Sequence, residues 1–490
     1  MNKIASNIND KGGVRKVHMI GINGISMSGL SELLIHMGYS VSGSDVSRSE
    51  RTEHLEKMGA VIYDGNEPEN IKDPDLIVYT SAVKRGNPEL ERALESGVPC
   101  MDRAELLGLV MSKYDKSVAV SGTHGKTTTT SMITEIMIRA GFDPTAHIGA
   151  EYEPIGGTTR IGGNEFFVAE ACEYCESFLK LQPSIALIMN VELDHIDYYR
   201  DLEHFKEAFK SFSLLVPGSG HVVANGDDRN CLDIYESLPL EEREKWLFFG
   251  LEEESRKSCD VFADNIEFNT EYCGVFDVRF RRDPDLSLRV RLKVPGVHNV
   301  YNALAAAAVC HTAGCTADSI RSGLFEFGGA KKRFEFKGTV QGMTIIDDYA
   351  HHPSEIRRAL HTGKNQLELP DPATAIGKAS KSRLICVFQS HTYSRTEYFL
   401  DEFADALTGA DLVLLPDIYA AREPAPGPGG ISSAMLAESI NKKGGQAIYI
   451  GEGFEKIADY ILDNGKPGDI VITMGAGEAV QTADALLRHV

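Results

Sequence analysis

The stretch VAVSGTHGKTTTTSMI, residues 118–133, sets an apolar strand, a glycine turn, a Lys-Thr pair and a helical run in immediate succession. That order places Gly122, Thr123, His124, Gly125, Lys126, Thr127 and Thr128 at a helix N-terminus, where backbone N–H groups and the helix dipole favour anionic oxygens. Lys126 can reach the outer phosphates of a nucleotide, and the Thr127 hydroxyl can bind Mg²⁺. The spacing departs from GxxxxGK[ST], because Val120 stands where the first glycine would be, so a shortened phosphate loop is expected. A tight left-handed turn before a threonine-rich helix is the structural alternative. The strand-then-helix context favours nucleotide and leaves the reaction open.

Outward from this loop, the strands FFVAEA and SIALIMNV are apolar runs of the kind buried in parallel sheets. Glu170 ends the first and His195 follows the second, so both are expected at the sheet edge where ligands bind in such folds. A carboxylate and a neutral imidazole there could help place Mg²⁺ on a transferred phosphate. Glu173 and Asp194 are neighbours that could touch substrate or support the ligands, or be solvated loop carboxylates. From 251 to 294, FDVRFRR and LSLRVRLKV alternate and read as an antiparallel excursion, before the helical VYNALAAAAVCHTAG.

Upstream, KVHMIGI runs into a glycine turn and an amphipathic helix stopped by Gly38, and YSVSGSD, AVIYDG, DLIVYTSAV and VPCMD continue the pattern. This is a parallel doubly wound unit ending near residue 112. Its turn GINGISMSG carries Gly21, Asn23, Gly24 and Ser26 where a dinucleotide fingerprint needs three glycines. An Asn at a left-handed position costs little, so the turn could still hold a diphosphate, with Asp45 taking ribose hydroxyls. Downstream, TIIDDY, RLICVFQ, DLVLLPD, QAIYIG and DIVITMG form a second parallel unit. Its strand ends carry Asp347, Asp348, His351 and His352, then His391 and Arg395, a concentration of charge suited to a carboxylate or phosphate and an incoming amine. Helix caps and packed histidines are the plain alternatives. TMGAG (473–477) is a further glycine turn, and the polar stretch 363–382 reads as a surface insertion.

A chain of 490 residues exceeds one hydrophobic core, and three α/β domains are expected: 1–112, 113–328 and 329–490. The first is a Rossmann-like parallel sheet, the central one a P-loop ATPase-type α/β domain, and the last Rossmann-like. A formal charge of −21 without a basic run argues against nucleic acid. No signal-type leader or run of about 18 apolar residues occurs, so a soluble cytoplasmic protein is expected. Nine cysteines without framework spacing fit a reducing compartment, and the lone CxxC of Cys172 and Cys175 has no partner motif for zinc.

Together GINGISMSGLSELL, GSD (43–45), TSAV (80–83), SGTHGKTTTTSM, the AEA and SFL segment, the DH pair, GVHNVYNALAAAA, KRFE, DDYAHHPSEI, SHTYSRT and MGAG resemble the Mur ligases of peptidoglycan synthesis, nearly end to end. The resemblance implies an ATP-dependent ligase that phosphorylates the carboxylate of UDP-N-acetylmuramate and lets the amine of L-alanine attack the acyl phosphate. Glycine, L-serine or a whole peptide are the alternative amine substrates. By resemblance, Gly122 to Thr128, Asn299, Asn302 and Arg333 bind ATP, and Thr127, Glu170 and His195 bind Mg²⁺. Lys126, Glu170, His195, Asp348, His351 and Arg395 serve the chemistry. Gly21, Asn23, Gly24, Ser26, Asp45, Ser81 and His391 hold the UDP substrate, in a monomer or homodimer. Two departures stand out: Asn23 replaces a glycine of the family's GIGG turn, and EACEYC replaces EADESD, keeping Glu170 and Glu173 but neither aspartate.

Overall fold

The computed structural model describes residues 15–368, 382–421, 423–427, 429–451 and 453–489. They gather into two compact units. The first comprises the chain through Leu193, Asp201–Phe262 and Ala305–Gly323; the second comprises Asp194–Arg200, Ala263–Leu304 and the chain from Leu324.

In the first unit, β1 (Lys16–Ile20), β2 (Ser40–Asp45), β3 (Val61–Asp64), β4 (Leu76–Tyr79) and β5 (Cys100–Asp102) form a wholly parallel sheet in the order β3-β2-β1-β4-β5. The order reverses between β1 and β4, so the turns after these two strands flank the crevice where such sheets bind ligands. The helix Arg103–Met111 begins there on a capping box, with Asp102 accepting from the Ala104 and Glu105 N–H groups.

The sheet of the phosphate loop is built from β6 (Lys116–Ser121), β7 (Thr145–Tyr152), β8 (Gly157–Arg160), β9 (Phe166–Glu170), β10 (Ile185–Ile188), β11 (His221–Asn225) and β12 (Trp246–Gly250), ordered β12-β11-β10-β6-β9-β7-β8. The β7–β8 hairpin and β12 were not expected from the sequence. β13 (Val261–Phe268) begins parallel to β12, whereas the sequence suggested that the whole 251–294 stretch is antiparallel. The crossover Gly250–Val261 returns β13 in the direction of β12, and the reversal comes after β13.

In the second unit, β14 (Cys273–Phe280) and β15 (Asp283–Pro295) make that antiparallel hairpin. The final sheet holds β16 (Glu335–Val340), β17 (Met343–Asp348), β18 (Leu384–Phe388), β19 (Leu412–Leu415), β20 (Ala447–Tyr449) and β21 (Ile470–Met474), ordered β16-β17-β21-β18-β19-β20. All pairs are parallel except the β16–β17 hairpin. Alternate residues feed two cores: Ile346, Cys386 and Ile472 join one, and Ile345, Ile385 and Val471 the other. That is the period-two signature of a sheet covered by helices on both faces. The helix Pro353–Glu368 takes in the first residues of the expected insertion; residues 369–381 of it lie outside the described residues. Among the described residues no helix is long and apolar enough to cross a membrane.

Candidate active site

The loop after β6 is shaped before any ligand is considered. Gly122 (φ 131°) and Gly125 (φ 84°) occupy the left-handed half of backbone space, and a Cβ at Gly122 would stand 2.8 Å from the Met189 Cβ. The chain following β10 braces the loop. The Thr123 N–H donates to the Asn190 carbonyl (3.2 Å), the His124 N–H to Asn190 Oδ1 (2.8 Å), and the Thr123 hydroxyl to the Glu192 carbonyl (2.7 Å). His124 Nε2 lies 3.1 Å from Glu192 Oε2. The helix Lys126–Arg139 then starts at once, and its first-turn N–H groups have no acceptor in the helix ladder. Asn190 and Glu192 are not among the residues expected from the sequence; their position just past the C-terminal end of β10 is the available signal.

Lys126 folds back over its own loop. Its Nζ donates to the Gly122 carbonyl (2.5 Å), the Thr123 carbonyl (3.2 Å) and Glu173 Oε1 (2.9 Å). Burial acts against the ammonium charge, yet Glu173, itself 2% exposed, holds the lysine above its ordinary value. Glu173 is therefore the counter-ion of the loop lysine. It sits in a tight segment where Cys175 (φ 51°) and Glu176 (φ 54°) are both left-handed. Cys172 and Cys175 are both thiols, and burial pushes the Cys172 thiol up.

Glu170, at the end of β9, accepts the Gly149 N–H at 2.6 Å. A Cβ at Gly149 would come within 2.7 Å of the same carboxylate, so glycine is what lets β7 approach it. Thr127 and Glu170 offer hard oxygen donors of the kind Mg²⁺ takes, and both belong to the first unit. His195 (φ 51°) belongs to the second.

In the turn after β1, Gly21 takes the left-handed conformation (φ 83°), and a Cβ there would meet Thr80 Cγ2 at 2.6 Å. Asn23 was expected to be left-handed, but it is not among the positive-φ residues. Its work is in hydrogen bonds. Its N–H donates to Asp45 Oδ2 and its Nδ2 to Ser47 Oγ, both at 3.1 Å. Arg51 Nε and the Ser49 hydroxyl donate to Asn23 in turn. Asp45 also accepts from the Ser47 N–H, so its carboxylate organises this loop. Ser26 lies in the first turn of the helix Ile25–His36, and Ser81 is exposed after β4.

The second unit gathers another group. Asp348, closing β17, accepts the Phe334 and Ala350 N–H groups (2.8 and 2.7 Å); burial, opposed by Arg333, raises it to about 7. The Arg333 guanidinium lies over the Tyr349 ring at 5.0 Å. His351 Nδ1 is 3.0 Å from the Tyr349 carbonyl and 3.4 Å from Glu355 Oε2. Two acceptors on that side place the proton on Nδ1 and leave the Nε2 lone pair for a proton from elsewhere. Burial brings His351 and His391 down to about 4, so both are neutral at pH 7. Their rings lie 6.4 Å apart, and His391 stacks on Tyr419.

Arg395 Nη2 donates to Asp194 Oδ1 at 2.7 Å, while its buried Nη1 has no hydrogen-bond partner among the described residues. A buried guanidinium nitrogen left over from an ion pair is what an anionic ligand oxygen would satisfy. Asp347 points the other way. Nearly buried, it accepts the Thr473 hydroxyl at 2.6 Å and is part of the sheet interior. Asn299 and Asn302 hydrogen-bond to each other at 2.9 Å on the helix Val297–Thr312.

A phosphate loop on one parallel sheet, a diphosphate-type turn on another and an arginine–histidine group on a third define an α/β ligase of the Mur type. The chain belongs to the Mur ligase family: residues 16–115 match its catalytic domain, 120–310 the Mur ligase middle domain, and 332–477 the Mur ligase glutamate ligase domain. It is 48% identical over 474 residues to the UDP-N-acetylmuramate–L-alanine ligase of Acetivibrio thermocellus, covering 97% of this chain and 96% of that one. The enzyme of the same name from Clostridium perfringens is 42% identical over 97% of this chain and 98% of its own. The crystal structure of UDP-N-acetylmuramate-alanine ligase from Thermotoga maritima superposes with a TM-score of 0.76 at 26% identity, covering 96% and 98%.

Proposed function

We propose that this protein joins L-alanine to the carboxylate of UDP-N-acetylmuramate, cleaving ATP to ADP and phosphate, in peptidoglycan synthesis. The observation that carries this is the 48% identity along 97% of the chain. The reaction is amide-bond formation through an acyl phosphate.

The loop Gly122 to Thr128 binds the ATP phosphates, and Lys126 exchanges its own loop carbonyls for phosphate oxygens. Thr127 and Glu170 would hold Mg²⁺, which would supply positive charge to the transferred phosphoryl group, and His195 is assigned to that ion by the family resemblance alone. Asn299, Asn302 and Arg333 serve the rest of ATP. Gly21, Asn23, Gly24, Ser26 and Ser81 line the crevice for the UDP moiety, Asp45 shapes its wall, and His391 serves the same substrate. Arg395 Nη1 takes a carboxylate or phosphate oxygen. Asp348 orients the site, and His351 Nε2 accepts the proton of the attacking amine, a role its neutrality at pH 7 permits. The domain limits fall near 112 and 328, the protein acts in the cytoplasm, and it is a monomer or homodimer.

Phosphate release should require UDP-N-acetylmuramate and an amino acid together, with L-alanine ahead of glycine and L-serine. One methyl group contributes only ~1–3 kcal/mol of discrimination, so glycine should trail by about 10–200-fold. Release without the second substrate would sink this reading, and preference for L-Ala-γ-D-Glu-diaminopimelate would replace it with a peptide ligase.

A further inference from the structure

The strand β7, unread in the sequence, carries two ties two residues apart. Its His147 is 4% exposed and uses both ring nitrogens: Nε2 lies 2.7 Å from the Ser26 hydroxyl and Nδ1 3.2 Å from the Thr159 hydroxyl. Arg103 Nη1 donates to the same Ser26 oxygen at 3.0 Å. Burial, then the Arg103 charge, keeps the ring neutral, its value lowered to about 3, so it can sit there without a counter-ion. Two residues on, the Gly149 N–H holds Glu170 at 2.6 Å.

These ties are stiff. His147 pairs with Ala169, the residue before Glu170, on one side and with Thr159 on the other. The helix Ile25–His36 lies directly on this pair of strands: a Cβ at Gly29 would stand 2.2 Å from Thr159 Oγ1 and 3.0 Å from His147 Cε1. Displacement of the turn at Ser26 therefore pulls on β7, and β7 carries the donor that aims Glu170.

We propose that His147 is a positioning residue that couples the diphosphate-type turn at Ser26 to the Glu170 carboxylate through β7, so that the UDP substrate and the magnesium nucleotide strengthen each other's binding. This rests on the proposed function. Coupling of this kind is reciprocal and typically 5–150-fold.

The test is calorimetric and involves no turnover. The Kd for UDP-N-acetylmuramate is measured with and without the magnesium complex of a non-hydrolysable ATP analogue. The wild type should bind the sugar nucleotide at least about fivefold tighter with the analogue present. His147→Val should bring that ratio close to one, while His147→Gln, which can still reach Ser26, should restore most of it. Thr159→Val leaves the ring in place but removes one of its partners, and should lower the ratio part of the way; it decides the matter if His147→Val fails to fold. A wild-type ratio in His147→Val or, failing that variant, in Thr159→Val overturns the proposal, as does a ratio of one in the wild type. A wild type that binds no UDP-N-acetylmuramate removes the functional reading instead.

Discussion

Replacing Lys126 with methionine should lower kcat/KM by about 10³, or ~4 kcal/mol, the scale of losing a preorganised charge in a phosphoryl-transfer site. It should also destabilise the fold, for a separate reason. Glu173 is 2% exposed and its Oε1 is paired with Lys126, so the variant leaves a buried carboxylate without its counter-ion. Removing one partner of a buried pair costs about 3–5 kcal/mol, less whatever Glu173 recovers by taking up a proton. The double variant Lys126→Met with Glu173→Gln should regain thermal stability and none of the activity. Thermal unfolding and steady-state kinetics on the two proteins separate the effects. Near-normal turnover in Lys126→Met would mean that another group carries the phosphate charge.

Arg395→Ala should be as damaging, and Arg395→Lys should divide the residue's two roles. The guanidinium satisfies Asp194 with Nη2, and the proposed ligand contact falls to its buried Nη1. A lysine can neutralise Asp194 but cannot offer a second, geometrically fixed donor. Arg395→Lys should therefore keep most of the stability and lose about 10²–10³ in kcat/KM. Arg395→Ala should lose both, with a stability deficit of about 3–5 kcal/mol at pH 7.

The deficit has a sign in pH. Burial raises the Asp194 carboxyl, but Arg395 outweighs it and holds the group well below the usual carboxylate range. A depressed carboxylate contributes stability above its unfolded value of about 3.9, and that contribution is lost as pH falls through the folded value. The gap between wild type and Arg395→Ala should thus be widest near neutrality and narrow below about pH 4, where Asp194 of the variant is already protonated. A gap that widens on acidification would rule out the ion pair as its source. Arg395→Lys with wild-type kinetics would rule out the role of Nη1.

How far these features could be read beforehand depended on sequence distance. The parallel strands were legible because each is a short apolar run ended by a turn, as in KVHMI and LICVF. TAHIGAEY was not, since Ala, His and Gly give neither alternation nor β-branched enrichment, and its pairing with β9 and β8 makes it a strand. β16 escaped for a similar reason: EFKGTV includes a glycine, and its pairing with β17 shifts register between Phe336 and Gly338. Within the site, Lys126, Thr127 and Glu170 announce themselves by position at a strand end. The salt bridges that set their state do not. Glu173 reaches Lys126 across 47 residues and Asp194 reaches Arg395 across 201, distances at which one sequence carries no signal. Asp347 and Asp348 were indistinguishable as a pair, yet strand alternation sends one into the sheet and the other to its edge.

In the proposed reaction ATP activates the sugar carboxylate as an acyl phosphate, which L-alanine then opens. It can be followed atom by atom with UDP-N-acetylmuramate carrying ¹⁸O in both carboxylate oxygens, using mass spectrometry of the phosphate and the product after turnover with ATP and L-alanine. One ¹⁸O should appear in each phosphate released and one should be retained in the new amide of UDP-N-acetylmuramoyl-L-alanine. Phosphate free of label, or label retained in full on unligated sugar nucleotide while ATP is consumed, would contradict it.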